Sequence, residues 1–279
     1  MALKSESFEL TAPGGHAVFY RALVPESPRA ALLALHGLAE HSGYYGEAMD
    51  ALAAAGVAVF APDHRGHGYS GGAPGDLQGL EEALGDIGLV HEALRQRVPD
   101  APLFVLGHSF GGQLALLYAL RRQGELAGVI LSSPLVLVPP YVSPLLVRIT
   151  GLVARLLPRL PLQGFAHTRT TRNPEAVEQM LRDPLYYKGK IRARTGSALL
   201  AGMQEATRRL EELSLPLLVL HGERDETVEP ACSRTVIERA ASRDKILKLF
   251  PEAMHHLLLE PEAGEILKLI GEWILERAA

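Results

Sequence analysis

The sequence predicts an α/β fold: a mostly parallel, eight-stranded sheet with helices on both faces and an inserted helical segment. Three observations carry this expectation. Short apolar runs alternate with helical patterns along most of the 279 residues, as in a parallel sheet covered on both faces. One run, Pro102-Leu103-Phe104-Val105-Leu106, ends in Gly107-His108-Ser109-Phe110-Gly111 and passes directly into helix formers, the pattern of a sharp strand-to-helix turn. The alternation breaks between residues 133 and 215, an interval too long for a plain loop, which must carry helices of its own.

In chain order, Phe8 to Leu10 and His16 to Arg21 flank Pro13-Gly14-Gly15 and predict an opening hairpin. Ala31-Leu32-Leu33-Ala34-Leu35 is a third, fully apolar strand, and Val57-Ala58-Val59-Phe60-Ala61 a fourth. The fourth runs into a glycine-rich loop over residues 62–72. Asp63, His64 and His67 in that loop have neither a fourth ligand nor a helix to fix their spacing. They predict a hydrogen-bonded loop at the sheet edge rather than a metal site. An amphipathic helix is expected over residues 79–98, the elbow strand follows, and Leu126 to Leu131 forms the sixth strand. Leu217-Leu218-Val219-Leu220 and Ile246-Leu247-Lys248-Leu249-Phe250 supply the last two. Core boundaries are therefore expected at 1–133 and 215–279, with 134–214 as a helical cap.

The elbow glycines leave room where the turn passes its neighbours, and the helix N-terminus offers N–H groups to a developing oxyanion. A serine hydroxyl needs a base, and that base an orienting acid. With this turn the chain order is serine, acid, histidine. Of the 11 histidines, only His167, His221 and the adjacent pair His255-His256 follow the elbow helix. The acid should leave the strand 217–220; Asp225 is chosen, since Glu223 sits too close to the strand and Glu226 and Glu229 suit solvated positions. The base then falls to His255 or His256. His255 is preferred, because His256 begins the helical stretch leading to Leu257, Leu258 and Leu259. The second oxyanion donor should follow the third strand: Gly37 permits close backbone approach, so the N–H of Leu38 is expected to pair with that of Phe110. His36 is expected to be structural.

Composition narrows the rest. A formal net charge of −4 gives no reason to expect nucleic acid. The single cysteine, Cys232, rules out an intramolecular disulfide and favours a reducing compartment. The first residues lack the apolar core of a signal peptide, and no apolar run approaches a membrane span. A cytoplasmic protein is expected, with peripheral membrane contact through the cap. Leu145, Leu146, Ile149, Leu152, Val153 and Leu156 recur at helical spacing in the insertion, more apolar than a solvated helix should be; they predict either a face that packs on the core or closes a dimer, or a wall or lid for an apolar substrate. Ile149, Leu152 and Val153 are the candidate substrate contacts.

The chain resembles the capped serine α/β-hydrolases, nearest to the monoacylglycerol lipase and lysophospholipase group. The matching stretches are HGLAEHSGYY at 36–45, APDHRGHGYSGG at 61–72, GHSFGG at 107–112, TRNPEAVEQMLRDPL at 171–185, HGERDETV at 221–228 and AMHHLLLE at 253–260. The resemblance implies the α/β-hydrolase fold, Ser109 as nucleophile, Asp225 as acid, His255 as base, and Leu38 and Phe110 as oxyanion donors. Glu260 stands five residues after His255, as in the family; Met254 and His256 depart from its pattern. It further implies hydrolysis of small-molecule acyl esters with neither metal nor organic cofactor. A thioesterase, an aminopeptidase or a carbon–carbon bond hydrolase would keep the same triad. An aminopeptidase would need an acidic pocket, against which the basic cap residues Arg148, Arg155, Arg169, Arg172, Arg192 and Arg194 speak. A ligand-binding protein without catalysis is the remote alternative.

Overall fold

The computed structural model describes residues 4–138, 142–164 and 169–278, with backbone only for Leu146 and Gln163. Eight strands form one sheet in the order β1-β2-β4-β3-β5-β6-β9-β10. The hairpin β1 (Glu6–Thr11) and β2 (Ala17–Leu23) is antiparallel, and β2 also runs antiparallel to β4 (Val57–Pro62). From β4 onward, β3 (Ala30–Leu35), β5 (Leu103–His108), β6 (Gly128–Ser132), β9 (Leu217–Gly222) and β10 (Lys245–Phe250) are all parallel. β3, β4, β5, β6 and β9 are buried throughout, which explains their unbroken apolar sequences.

Side chains alternate between the two faces with period two. Ala31, Leu33 and Leu35 of β3 join the core beneath α2 (Leu80–Arg97), α3 (Phe110–Arg122) and α7 (Ala231–Arg239). Leu32 and Ala34 point the other way, to α1 (Gly46–Ala54) and α8 (Ala263–Arg277), where Trp273 packs edge-on against Phe104 at 5.7 Å. α2 begins after Gly79 with Glu81 and Glu82 in its first turn and ends with Arg95 and Arg97, charges that complement the helix dipole. Val98-Pro99 then stops it. No helix among the described residues is long and apolar enough to cross a membrane.

The interval between β6 and β9 holds α4 (Pro144–Leu156), α5 (Pro174–Arg182) and α6 (Ala193–Arg209). It also holds a two-stranded antiparallel ribbon, β7 (Pro161–Gln163) with β8 (Ile191–Arg192), where the sequence suggested no strand. These strands are too short, and too polar, to leave a periodic signal. α6 lies against α3, and its Leu199, Met203 and Ala206 belong to the central core. Gln113 of α3 fastens the two by donating to the carbonyls of Leu135 and Leu199, at 3.1 and 3.0 Å.

Candidate active site

The chain turns one way from β3 to β4 and the other way from β5 to β6, so a crevice opens at the carboxyl ends of β3 and β5. Both glycine-bearing loops end there. Ser109 takes φ 55 and ψ −116 between β5 and α3, a conformation that costs a non-glycine residue about 1–3 kcal/mol. Neighbouring bonds hold it. Its N–H donates to Ser132 O at 2.9 Å, and its carbonyl accepts from Gln113 N at 3.1 Å and Leu135 N at 3.0 Å.

The elbow glycines have a steric reason. A Cβ on Gly107 would lie 2.1 Å from Gly111 O, and one on Gly111 2.2 Å from Leu35 O. Both clashes are with backbone, which cannot swing away. Gly111→Ala is expected to lose about 1–3 kcal/mol or fail to fold. Gly88→Ala, where nothing lies within 4 Å, should stabilise its helix by about 1 kcal/mol. Equal denaturant midpoints for the two variants would contradict this.

Asp225 and His255 come together from loops after β9 and β10. His255 Nδ1 lies 2.7 Å from Asp225 Oδ2, while Asp225 Oδ1 accepts from Thr227 N at 2.8 Å and Val228 N at 2.9 Å. His221, at the end of β9, is 3.1 Å from Asp225 Oδ2 through Nε2, with Ser233 Oγ 2.6 Å from its Nδ1. Burial works against ionisation of Asp225, but His255 and His221 outweigh it and hold the carboxyl well below the ordinary range. Its carboxylate therefore stays charged and ready to orient an imidazole. Ser133 Oγ donates to the His255 carbonyl at 3.0 Å, which fixes the histidine's backbone opposite the elbow. Ser109, Asp225 and His255 are all buried. His167 lies outside the described residues.

On the other side of the crevice the loop after β3 carries Gly37 and Leu38, and Phe110 is the first residue of α3, where a backbone N–H has no partner within the helix. His36 is tied into the loop: its Nδ1 lies 2.7 Å from Gly37 O and its Nε2 accepts from His64 N at 2.9 Å. Asp63 is spent on the N–H groups of Ser42 and Tyr69, His64 on the His36 carbonyl and His67 on Arg65 O. Burial pushes His64 down to about 3, and holds His36 and His67 low as well. His36 and His64 are thereby held uncharged and tied into the loop, while the buried His67 Nε2 has no hydrogen-bond partner among the described residues.

Glu40, which sequence reasoning did not bring to the site, meets His256 there. Glu40 Oε2 accepts from Gly37 N at 3.0 Å and lies 3.3 Å from His256 Nε2. Burial raises its pKa, but His256, His108 and the Gly37 N–H prevail and bring it down to about 2. Only the threefold spacing of Gly37 and Glu40 hinted at this contact.

The inserted segment is anchored to the same loops. Asn173 caps α5 by accepting from Glu175 N and Ala176 N. Arg172 binds Glu260 and Glu262, Asp183 accepts from Tyr44 OH at 3.1 Å and lies 2.7 Å from His41 Nε2, and Tyr187 N donates to Ala39 O. Arg194 pairs with Asp76 and Arg169 with Glu226. Of the six basic cap residues named from the sequence, Arg169, Arg172 and Arg194 are thus paired with carboxylates, and Arg148 and Arg155 are exposed. Leu145, Ile149, Leu152 and Leu156 line the outer side of α4, at 66%, 40%, 60% and 67% exposure. Val153 is half-buried, and the side chain of Leu146 lies outside the described residues.

Residues 26–262 match the family described as serine aminopeptidase, S33. A monoacylglycerol lipase of Mycolicibacterium smegmatis is 36% identical over 263 residues, covering 94% of each chain. The human monoglyceride lipase is 32% identical over 256 residues, 91% of this chain and 84% of its own. Among solved structures, Paleococcus ferrophilus monoacylglycerol lipase superposes with a TM-score of 0.82 at 29% identity, over 99% of this chain and 100% of the other.

Proposed function

The chain belongs to the monoacylglycerol lipase family of serine α/β-hydrolases and is a carboxylic-ester hydrolase; from that premise we propose that it cleaves monoacylglycerols to fatty acid and glycerol through an acyl-enzyme on Ser109. The observation that carries the reading is the buried 2.7 Å His255–Asp225 contact, together with the strained backbone of Ser109 at the N-terminus of α3. His255 Nε2 takes the Ser109 proton as Oγ attacks the ester carbonyl, and Asp225 holds the Nδ1–H tautomer. The N–H groups of Leu38 and Phe110 receive the oxyanion. His255 then protonates the departing glycerol, and water, activated by the same imidazole, releases the fatty acid. No step needs a metal or organic cofactor.

Relatives whose names specify monoacylglycerols and the apolar outer face of α4 support this substrate class. We read residues 134–214 as the cap, anchored through α5 and α6, with α4 presenting its apolar stripe outward. Arg148, Arg155 and Arg159 flank that stripe and are exposed, as suits transient contact with an anionic lipid surface. Immersing one such leucine or isoleucine gains about 1.5–3 kcal/mol. Leu152→Glu, or Ile149→Glu, should therefore weaken binding to anionic phospholipid vesicles about tenfold or more. Turnover of long-chain monoacylglycerol should fall with it, while p-nitrophenyl acetate hydrolysis stays near wild type. Proportional loss on both substrates would assign α4 to packing and leave a generic esterase.

The substrate itself is tested with monoacylglycerols of graded chain length beside p-nitrophenyl esters. Rates should rise with acyl length as methylenes are buried, at about 0.8 kcal/mol each, and then fall. A preference for acetyl esters, or no cleavage of any monoacylglycerol, would overturn the assignment.

A further inference from the structure

We propose that Glu40, His108 and His256 form a binding site for a divalent transition-metal ion of the Zn²⁺ class, directly behind the catalytic histidine, and that filling it slows the hydrolase. The three side chains arrive from different loops: Glu40 after β3, His108 at the end of β5, His256 after β10. All are buried, at 6%, 1% and 1% exposure. Each offers a ligand atom, and these atoms all lie within 4.8 Å of one another. His256 Nε2 is 3.3 Å from Glu40 Oε2, and His108 Nε2 is 3.8 Å from Glu40 Oε1.

The donor chemistry points the same way. His108 Nε2 and both ring nitrogens of His256 have no aligned hydrogen-bond partner, an uncommon state for buried polar atoms. His108 keeps a neighbour on its other nitrogen, Ser132 Oγ at 3.4 Å, the kind of outer contact that orients a metal-binding imidazole. Two imidazoles and a carboxylate suit Zn²⁺ and its neighbours rather than Ca²⁺ or Mg²⁺. Ligands about 2.0–2.2 Å from a tetrahedral ion stand roughly 3.3–3.5 Å apart, so small side-chain shifts close the site and leave the fourth position to water. Among the described residues, Asp63, His64 and His67 do not gather their ligand atoms in this way.

The consequence for turnover follows from position. The His108 ring lies 4.7 Å from the His255 ring and 4.3 Å from that of His256. A dication there opposes the positive charge that His255 acquires each cycle. It also competes for the Glu40 oxygen that holds Gly37 N, and with it the loop carrying Leu38. The ion is an inhibitory ligand and not a cofactor. The inhibition rests on His255 as base; the binding does not.

Calorimetric titration of chelator-treated protein with ZnCl₂, beside p-nitrophenyl ester turnover at the same metal concentrations, separates the two. Wild type should bind one Zn²⁺ per chain saturably and lose turnover along the same isotherm. His256→Leu and Glu40→Gln, each checked for a cooperative melt, should weaken binding more than about 100-fold, beyond the cost of losing an outer contact. His256→Leu should also escape inhibition in that range. No saturable binding to wild type, or unchanged affinity in His256→Leu, would overturn the site. Saturable binding that is lost in both variants, but never accompanied by inhibition, would keep the site and overturn the coupling to His255.

Discussion

Ser109→Ala is expected to lower ester turnover by about 10⁴-fold or more, to background, while the protein stays folded. A triad acts as a unit, so removing its nucleophile leaves only what binding and oxyanion stabilisation supply. Folding should survive because the elbow is fixed by the main chain: Ser132 O, Gln113 N and Leu135 N bond the Ser109 backbone. Alanine meets the same φ of 55 at a cost similar to serine's. Steady-state hydrolysis of a p-nitrophenyl ester, with a thermal melt on the same sample, checks both halves. More than about 1% residual activity would remove Ser109 from the nucleophile's role.

The adjacent histidines should separate just as sharply. His255→Ala is expected to cost about 10³-fold or more in kcat, since it removes the base, while Asp225 keeps His221 and the Thr227 and Val228 N–H groups. His256→Ala should retain most of the turnover. Its ring faces Glu40 and His108, not Asp225, and its backbone N–H donates to Thr170 O at 2.7 Å, a bond that alanine keeps. The reverse pattern would move the base by one residue.

Much of this was legible because it is local. Buried parallel strands announce themselves as unbroken apolar runs, and the elbow needs glycine at positions 107 and 111 for backbone reasons that sequence alone conveys. Chain order pointed to Asp225 as the acid candidate, and a single-turn helix, Leu257–Leu259, does follow His256. What stayed hidden depends on partners far apart in the chain. Nothing near Glu40 announces His256, 216 positions later, nor does Arg172 announce Glu260 and Glu262. Likewise Arg169 and Arg194 give no sign in the sequence of their partners Glu226 and Asp76, which come from other elements. α6 read as part of a lid, yet its Leu199 and Met203 pack into the core. Its helical period shows that one face is covered and not by what. The short ribbon β7–β8 exists only through its pairing.

The claim that matters most is that this hydrolase works through a covalent intermediate on Ser109. Reaction with a fluorophosphonate, followed by intact mass and peptide mapping, tests it directly. A single adduct on Ser109, formed in step with the loss of esterase activity and absent from both Ser109→Ala and heat-unfolded protein, is the expected result. Labelling at another residue, or full activity after stoichiometric modification of Ser109, would contradict it.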